Sequence, residues 1–310
     1  MSKIQKALQQ LRESRRIPDG DAAQGALNGT AGDVLPRARG ANRLRMPARV
    51  SADLEAARAA ENLPAARLSV DLETLCEAGL FPTEAHAEPI AQQFRRIKRP
   101  VINLAFGEGT QESENANMIM VASALPKSGK TYCSLNLAVS IARERDIGAV
   151  LVDADVLKPN ISRALGLEDR VGLIDHLLDP SISIDDIIVP TDLHDIVVIP
   201  AGQQHDEATE LLASRRMERL VSTLSRRFRS RAVVVDTPPL LLTNEAHVLA
   251  EHMGQIILIV EAGVSTQEAV LEALESLNRS KPINVILNKA RSGMFNGYGS
   301  EGYGYYSAPH

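Results

Sequence analysis

Lys130, Asp153, Asp155 and Asp236 are the side chains whose types and spacing could do chemistry. Lys130 belongs to ALPKSGKT, residues 124–131, which fits the phosphate-loop pattern of a small residue, four of any kind, then Gly-Lys-Thr. Ala124 stands where many such loops have Gly. In this pattern backbone N–H groups converge on phosphate oxygens, helped by the dipole of the helix that follows. The candidate nucleotide-binding positions are Ala124, Lys127, Ser128, Gly129, Lys130, Thr131 and Tyr132. Gly129 lets the backbone come close, Lys130 supplies a cation for the β/γ-phosphates, and Thr131 offers a hydroxyl to Mg²⁺. Asp153 and Asp155 end the run AVLVDAD, and Asp236 follows the apolar run AVVV in AVVVDTPP. Mg²⁺ keeps several waters and needs few protein carboxylates. Asp153 and Asp236, with Thr131, are therefore the candidate magnesium shell, mostly through water. Asp155 is left as a base for an incoming hydroxyl. Its alternative role is to cap the next segment or pair with Lys158. The expected cofactors are ATP and Mg²⁺.

These residues need a scaffold that brings them together. Apolar runs at Met118–Ser123, Ala149–Val152, Ile196–Ile199, Ala232–Val235, Ile256–Val260 and Val285–Leu287 read as strands covered on both faces. Helices fit between them at 130–144, 207–228 and 265–279. The alternation predicts an α/β fold of the P-loop NTPase kind, with a mostly parallel sheet flanked by helices. Ligands of such sheets lie beyond the carboxyl ends of the strands, where the phosphate loop and the three aspartates fall.

Outside this region the texture differs. Residues 1–16 read as a basic amphipathic helix and 17–67 as a flexible, largely disordered linker. Residues 68–100 form a helical N-terminal part, 101–290 the phosphate-loop domain, and 291–310 a tyrosine-rich flexible tail. Within the helical part, EPIAQQFRRIKRP places Ile90, Phe94 and Ile97 on one face, and Pro100 marks the expected exit. The formal charge is −5, which argues against wholesale nucleic-acid binding. Residues 1–49 carry ten basic and four acidic side chains, so a basic front end precedes an acidic body. That front end is a solvated linker or a contact for an acidic partner or anionic lipid. Cys76 and Cys133 have no metal or redox spacing and suit a reducing cytosol. No apolar run approaches the roughly 18 residues that span a bilayer, so the expectation is a soluble cytosolic chain.

The chain has five tyrosines and no tryptophan, and four of those tyrosines stand in the last fifteen residues. Tyr298, Tyr303, Tyr305 and Tyr306 are interleaved with Gly, Ser and Asn, which build no core. Beside a phosphate site, a tyrosine on a mobile segment is a candidate phosphoryl acceptor, in its own site or a neighbour's. Each phosphate would add about −1.5 to −2 charges, and their repulsion could loosen an assembly.

The segment 118–289 resembles the catalytic domain of the bacterial tyrosine autokinases (BY-kinases) that accompany capsule and exopolysaccharide export. The resemblance rests on ALPKSGKT with NLAVSIA, VLVDADVLKP, GLIDHLL, ELLASRRMERL, VVVDTPPLL, VILNKA and the tyrosine tail, in that order. The opening MSKIQKAL and FRRIKRP resemble the short autokinases of exosortase-linked polysaccharide systems. It implies a Mg-ATP-dependent protein-tyrosine kinase that phosphorylates its own tail and regulates polysaccharide polymerisation and export. It implies a separate transmembrane activator, a chain-length determinant of the Wzz type, which would hold the chain at the inner membrane. It also implies a homo-oligomer, in which Arg95, Arg96 and Lys98 stand where the family's Glu-x-x-Arg-x-x-Arg helix docks on the next subunit. Gln92 replaces the glutamate of that motif. Leu157 replaces an arginine of the second acidic motif, with Lys158 beside it. Asn288 stands where the class often contacts the purine base. Two other readings share the fold: a MinD/ParA-like ATPase and a non-catalytic nucleotide-dependent scaffold. The ATPases' signature lysine falls here at Leu125, which counts against the first.

Overall fold

Five of the seven strands are built from aliphatic runs with almost no solvent exposure, and this burial defines the centre of the molecule. A computed structural model describes residues 63–107, 115–278 and 280–290, together with Leu54, Ala57 and Glu61. The strands are β1 (Met118–Ser123), β2 (Gly148–Asp153), β3 (Val189–Pro190), β4 (Ile196–Ile199), β5 (Arg231–Asp236), β6 (Gln255–Glu261) and β7 (Ile283–Asn288). They form one sheet in the order β3-β4-β2-β5-β1-β6-β7. All pairings are parallel except β3 with β4. β3 has two residues, too few for a sequence signal, and its Pro190 suits an outer position because it has no N–H to donate. The six anticipated strands are present, each within two residues of its expected ends.

The helices are α1 (Leu72–Glu77), α2 (Glu84–Phe106), α3 (Lys130–Ala142), α4 (Asn160–Ala164), α5 (Leu173–Leu178) and α6 (Ile184–Ile187). Then follow α7 (Ala208–Leu212), α8 (Arg215–Arg227), α9 (Glu245–His252) and α10 (Gln267–Glu275). Met118, Met120 and Ala122 of β1 join one core with side chains of α5, α7, α8, α9 and α10. α3 lies across β1, β2 and β5 and carries α2 on its back. The sheet is thus sandwiched, which is why its strands read as continuous apolar runs rather than alternating ones.

Three expectations need correction. The helix expected over 207–228 is two helices, because Ser214 starts α8 anew, accepting a hydrogen bond from the Met217 N–H at 3.4 Å. Pro100 does not end its helix. α2 runs six residues beyond it and through the expected boundary at 100/101. Pro inside a helix costs about 3 kcal/mol. Val101, Ile102, Ala105 and Phe106 lie beyond it and are all buried. At about 1.5–3 kcal/mol for each large apolar side chain buried, the gain exceeds that cost. Lastly, the expected flexible linker is anchored near its end. Glu61 is 3% exposed and accepts from Arg231 Nε at 2.6 Å and from the Ser230 hydroxyl. Arg231 also pairs with Asp195 at 3.0 Å, and Gly148 leaves room for both, since a Cβ there would collide with them. Beyond Glu61 the chain runs along β3, where Leu68 exchanges hydrogen bonds with Pro190 and Asp192. The helix expected over 1–16 and the tail 291–310 lie outside the described residues.

Removing one partner of a buried ion pair leaves the other charge uncompensated, at a cost of roughly 3–5 kcal/mol. Arg231 keeps Asp195 when Glu61 is lost, so Glu61→Ala should destabilise the chain by about 3 kcal/mol, the low end of that range. The check is the midpoint of chemical denaturation. An unchanged midpoint would mean that the segment before β3 contributes nothing to the fold.

Candidate phosphate-binding and magnesium site

The loop between β1 and α3 is shaped by its own side chains and by two neighbouring strands. The Ser123 hydroxyl donates to the Leu125 carbonyl at 2.6 Å and that of Ser128 to the same oxygen at 3.0 Å. Leu240 and Leu241 N–H groups, after β5, bond the Ser123 and Ala124 carbonyls. Gly129 precedes α3 at φ 90°, in the left-handed region where a side chain is strained. A Cβ there would also strike the Asn288 amide. Lys127 has φ 65° without that excuse, so outside contacts must hold it. Asn288 Nδ2 donates to the Ser128 carbonyl at 2.9 Å, and Lys289 Nζ to that of Lys127 at 2.7 Å. Asn288, expected near a purine base, therefore has its amide nitrogen engaged with the loop.

Lys130, the first residue of α3, is buried. Burial pulls its pKa down, while Asp236 and Asp155 hold the proton on. Asp153 and Asp236 end β2 and β5 side by side in register. Asp153 Oδ2 accepts from the Ser162 N–H and hydroxyl, both at 2.8 Å, and α4 thereby fixes its rotamer. Asp236 Oδ1 accepts from the Ser134 hydroxyl at 3.0 Å, one turn along α3 from Lys130. The remaining oxygens, Asp153 Oδ1 and Asp236 Oδ2, are buried and have no partner. Burial, reinforced by Asp236, pushes Asp153 up to about 7. Burial likewise raises Asp236 to about 6, against the Thr131 hydroxyl beside it and the charge of Lys130.

Two orphaned carboxylate oxygens are costly unless a proton or a cation meets them. With Thr131 beside Asp236, they fit a divalent cation that takes its other ligands from water and phosphate. Among the described residues no group of three or more His, Cys, Asp or Glu side chains is placed to hold a metal by itself.

Asp155 lies just beyond β2 and is 9% exposed. Burial raises its pKa, and Lys130 and the Lys158 N–H oppose the rise. Its backbone carbonyl also accepts from Lys158 at 2.9 Å, so the capping role and proximity to Lys130 coexist. Lys158 adds a positive charge felt by both Asp155 and Lys130, while Leu157 is 57% exposed. Tyr132 faces the other way, its ring 6.4 Å from that of Phe94 on α2.

Arg95 pairs with Glu88 of its own helix at 2.5 Å, and Arg96 is exposed. Lys98 was expected at a subunit contact. It is 5% exposed and bonds the Ser140 carbonyl at 2.5 Å and Glu144 at 2.7 Å, because it complements the negative end of α3. Sequence reasoning missed Ser134, Ser162, Glu245 and Glu261. Glu245 is 3% exposed and raises the pKa of Asp155. Only the i+4 spacing of Ser134 from Lys130 could have pointed to one of them. Cys133 is buried and its thiol is pushed up to about 12, so it stays a protonated core group.

Asp153 and Asp236 bind protons more tightly folded than unfolded. The metal-free folded chain therefore holds more protons between about pH 4 and 7, and its stability falls as pH rises through that window. Asp153→Asn removes that penalty. Its melting temperature without metal should exceed the parent's at pH 8, and the gap should shrink toward about pH 4, where the unfolded carboxyl also protonates. A gap independent of pH would contradict this.

No family model matches the chain. The tyrosine-protein kinase YwqD of Bacillus subtilis is 28% identical over 214 residues, 68% of this chain and 86% of that relative. The tyrosine-protein kinase Wzc of Salmonella typhimurium is 30% identical over 192 residues, 61% of this chain. This chain spans only 26% of Wzc's length. Among solved structures, the kinase domain of the Escherichia coli tyrosine kinase Etk aligns with a TM-score of 0.51 at 26% identity. That alignment covers 66% of this chain and 84% of the Etk domain. With these relatives and this site, the chain is similar to bacterial tyrosine-protein kinases over its phosphate-loop domain.

Proposed function

We propose that the chain is a Mg-ATP-dependent protein-tyrosine kinase whose substrate is its own C-terminal tyrosine cluster. The observation that carries this reading is the contact between the end of β7 and the phosphate loop. Ala290, the last described residue before the tyrosine-bearing segment, therefore follows directly on the phosphate-loop contact. Tyr298 stands nine residues after Lys289, and an extended chain of that length reaches up to about 30 Å. Four acceptors on such a tether can visit their own site or that of a second copy.

In this reading the loop amides, Lys130 and the start of α3 cradle the β- and γ-phosphates. Thr131, Asp153 and Asp236 would hold Mg²⁺, which supplies charge neutralisation at the phosphates when bound. The tyrosine O–H gives its proton to Asp155 while its oxygen bonds to the γ-phosphorus. The bond from that phosphorus to the β–γ bridging oxygen breaks, and ADP departs with the electron pair. The raised pKa of Asp155 suits a proton acceptor better than an ordinary surface carboxylate.

The names of YwqD, Wzc and Etk as tyrosine kinases support the activity, and that of the succinoglycan biosynthesis transport protein ExoP of Rhizobium meliloti supports a setting in exopolysaccharide export. The chain is 31% identical to ExoP over 211 residues but spans 26% of its length. Among the described residues no helix is long and apolar enough to cross a membrane. A separate transmembrane chain-length regulator then supplies the membrane contact and activation, aided by the basic N-terminus. Self-association delivers one copy's tail to another's site, with the exposed Arg96 on the docking helix.

Purified full-length chain, incubated with Mg-ATP and its activator, should acquire phosphotyrosine at 298, 303, 305 or 306, mapped by mass spectrometry. Lys130→Met should abolish it, and chelation of Mg²⁺ should stop it. Asp155→Asn should lower the rate about 10²-fold or more with ATP still bound. Phosphate release without modified tyrosine would favour an ATPase. Nucleotide binding with neither would favour a scaffold.

A further inference from the structure

The phosphate loop is held from outside by the two residues that finish β7. Asn288 grips the Ser128 carbonyl at 2.9 Å and fills the space beside Gly129. Lys289 grips the Lys127 carbonyl at 2.7 Å. Its ammonium also pairs with Glu261 Oε1 at 3.0 Å, and Glu261 lies opposite Asn288 where β6 meets β7. Lys127 and Lys289 are both non-glycine residues at positive φ, 65° and 55°. Each is strained alone, and each is tied to the other.

A trans peptide unit points its carbonyl and the next N–H in opposite directions. Turning the Lys127 and Ser128 carbonyls outward to β7 therefore turns the N–H groups of Ser128 and Gly129 inward, where an anion needs donors. Without the Lys289 tie, Lys127 can relax to negative φ and swing its carbonyl into the cradle, where its oxygen would repel phosphate. Folding does not require the tie, because Lys289 is 48% exposed and such pairs contribute little to stability.

We propose that Lys289, oriented by Glu261, is a positioning residue that keeps the phosphate loop in its anion-accepting form. This rests on the reading of the loop as the ATP site. The test is calorimetric titration of the full chain with Mg-ATP, beside thermal melts of the nucleotide-free protein. Lys289→Met should weaken ATP binding about tenfold. Glu261→Gln should give a smaller loss, and Lys289→Arg, which keeps a cation and donors, should recover most of the affinity. Melting temperatures should stay within about 1 °C of the parent, as expected for an exposed site. Parent-like affinity in Lys289→Met overturns the proposal. So does a loss that Lys289→Arg fails to recover, or one matched by a fall in melting temperature. A parent chain that binds no Mg-ATP overturns the functional reading as well, whereas equal binding by parent and Lys289→Met overturns this inference alone.

Discussion

Two fully buried carboxylates, Asp153 and Asp236, end adjacent strands in register, and their charges can coexist only with cations beside them. Lys130 is a fixed cation that acts on Asp236 and Asp155. Even with Lys158 near Asp155, two ammonium groups do not balance three carboxylates in a low-dielectric site. Burial favours the neutral form and the neighbouring carboxylates add to it, which is why both acids hold protons well above the usual carboxylate range. A divalent cation would displace those protons, and its charge in turn would favour phosphate in the adjacent loop. Metal and nucleotide would thus be mutually dependent ligands by simple electrostatics.

The rest of the fold serves that arrangement. Parallel pairing of β2, β5, β1 and β6 delivers all their carboxyl ends to one edge. α3 connects the edge to the interior, with its positive end at the loop and its negative end met by Lys98. Ser134 and Ser162 fix one oxygen of each buried carboxylate, so the free oxygen of each has a defined direction. β7 completes the site from the side, because its last two residues clamp the carbonyls of Lys127 and Ser128. The strand that precedes the tyrosine segment is thus the one that braces the phosphate loop.

Much of this was legible in the sequence, for reasons that differ by element. The strands at 118–123 and 196–199 were read to the residue, because a strand buried on both faces must be continuously apolar. The phosphate loop was readable because its chemistry constrains local types and spacing. Pro100 misled because its local penalty is fixed while the burial of Val101, Ile102 and Phe106 depends on distant partners. Lys98 misled for a related reason: its place in the family's docking motif cannot tell a solvent-facing ammonium from one capping another helix. Glu61 sits in a stretch with no period at all, and its anchor, Arg231, is 170 residues away.

The sequence by itself determined the element types and the parallel class of the sheet, and it offered the candidate residues for phosphate and cation, since each follows from short-range pattern and side-chain chemistry. Tertiary structure alone decided which oxygens are satisfied and which are left open. It also decided that β7 clamps the phosphate loop and that the segment before β3 is tied to the sheet. Those are outcomes of contacts between residues far apart in the chain, and their energies depend on burial and direction, which no local pattern encodes.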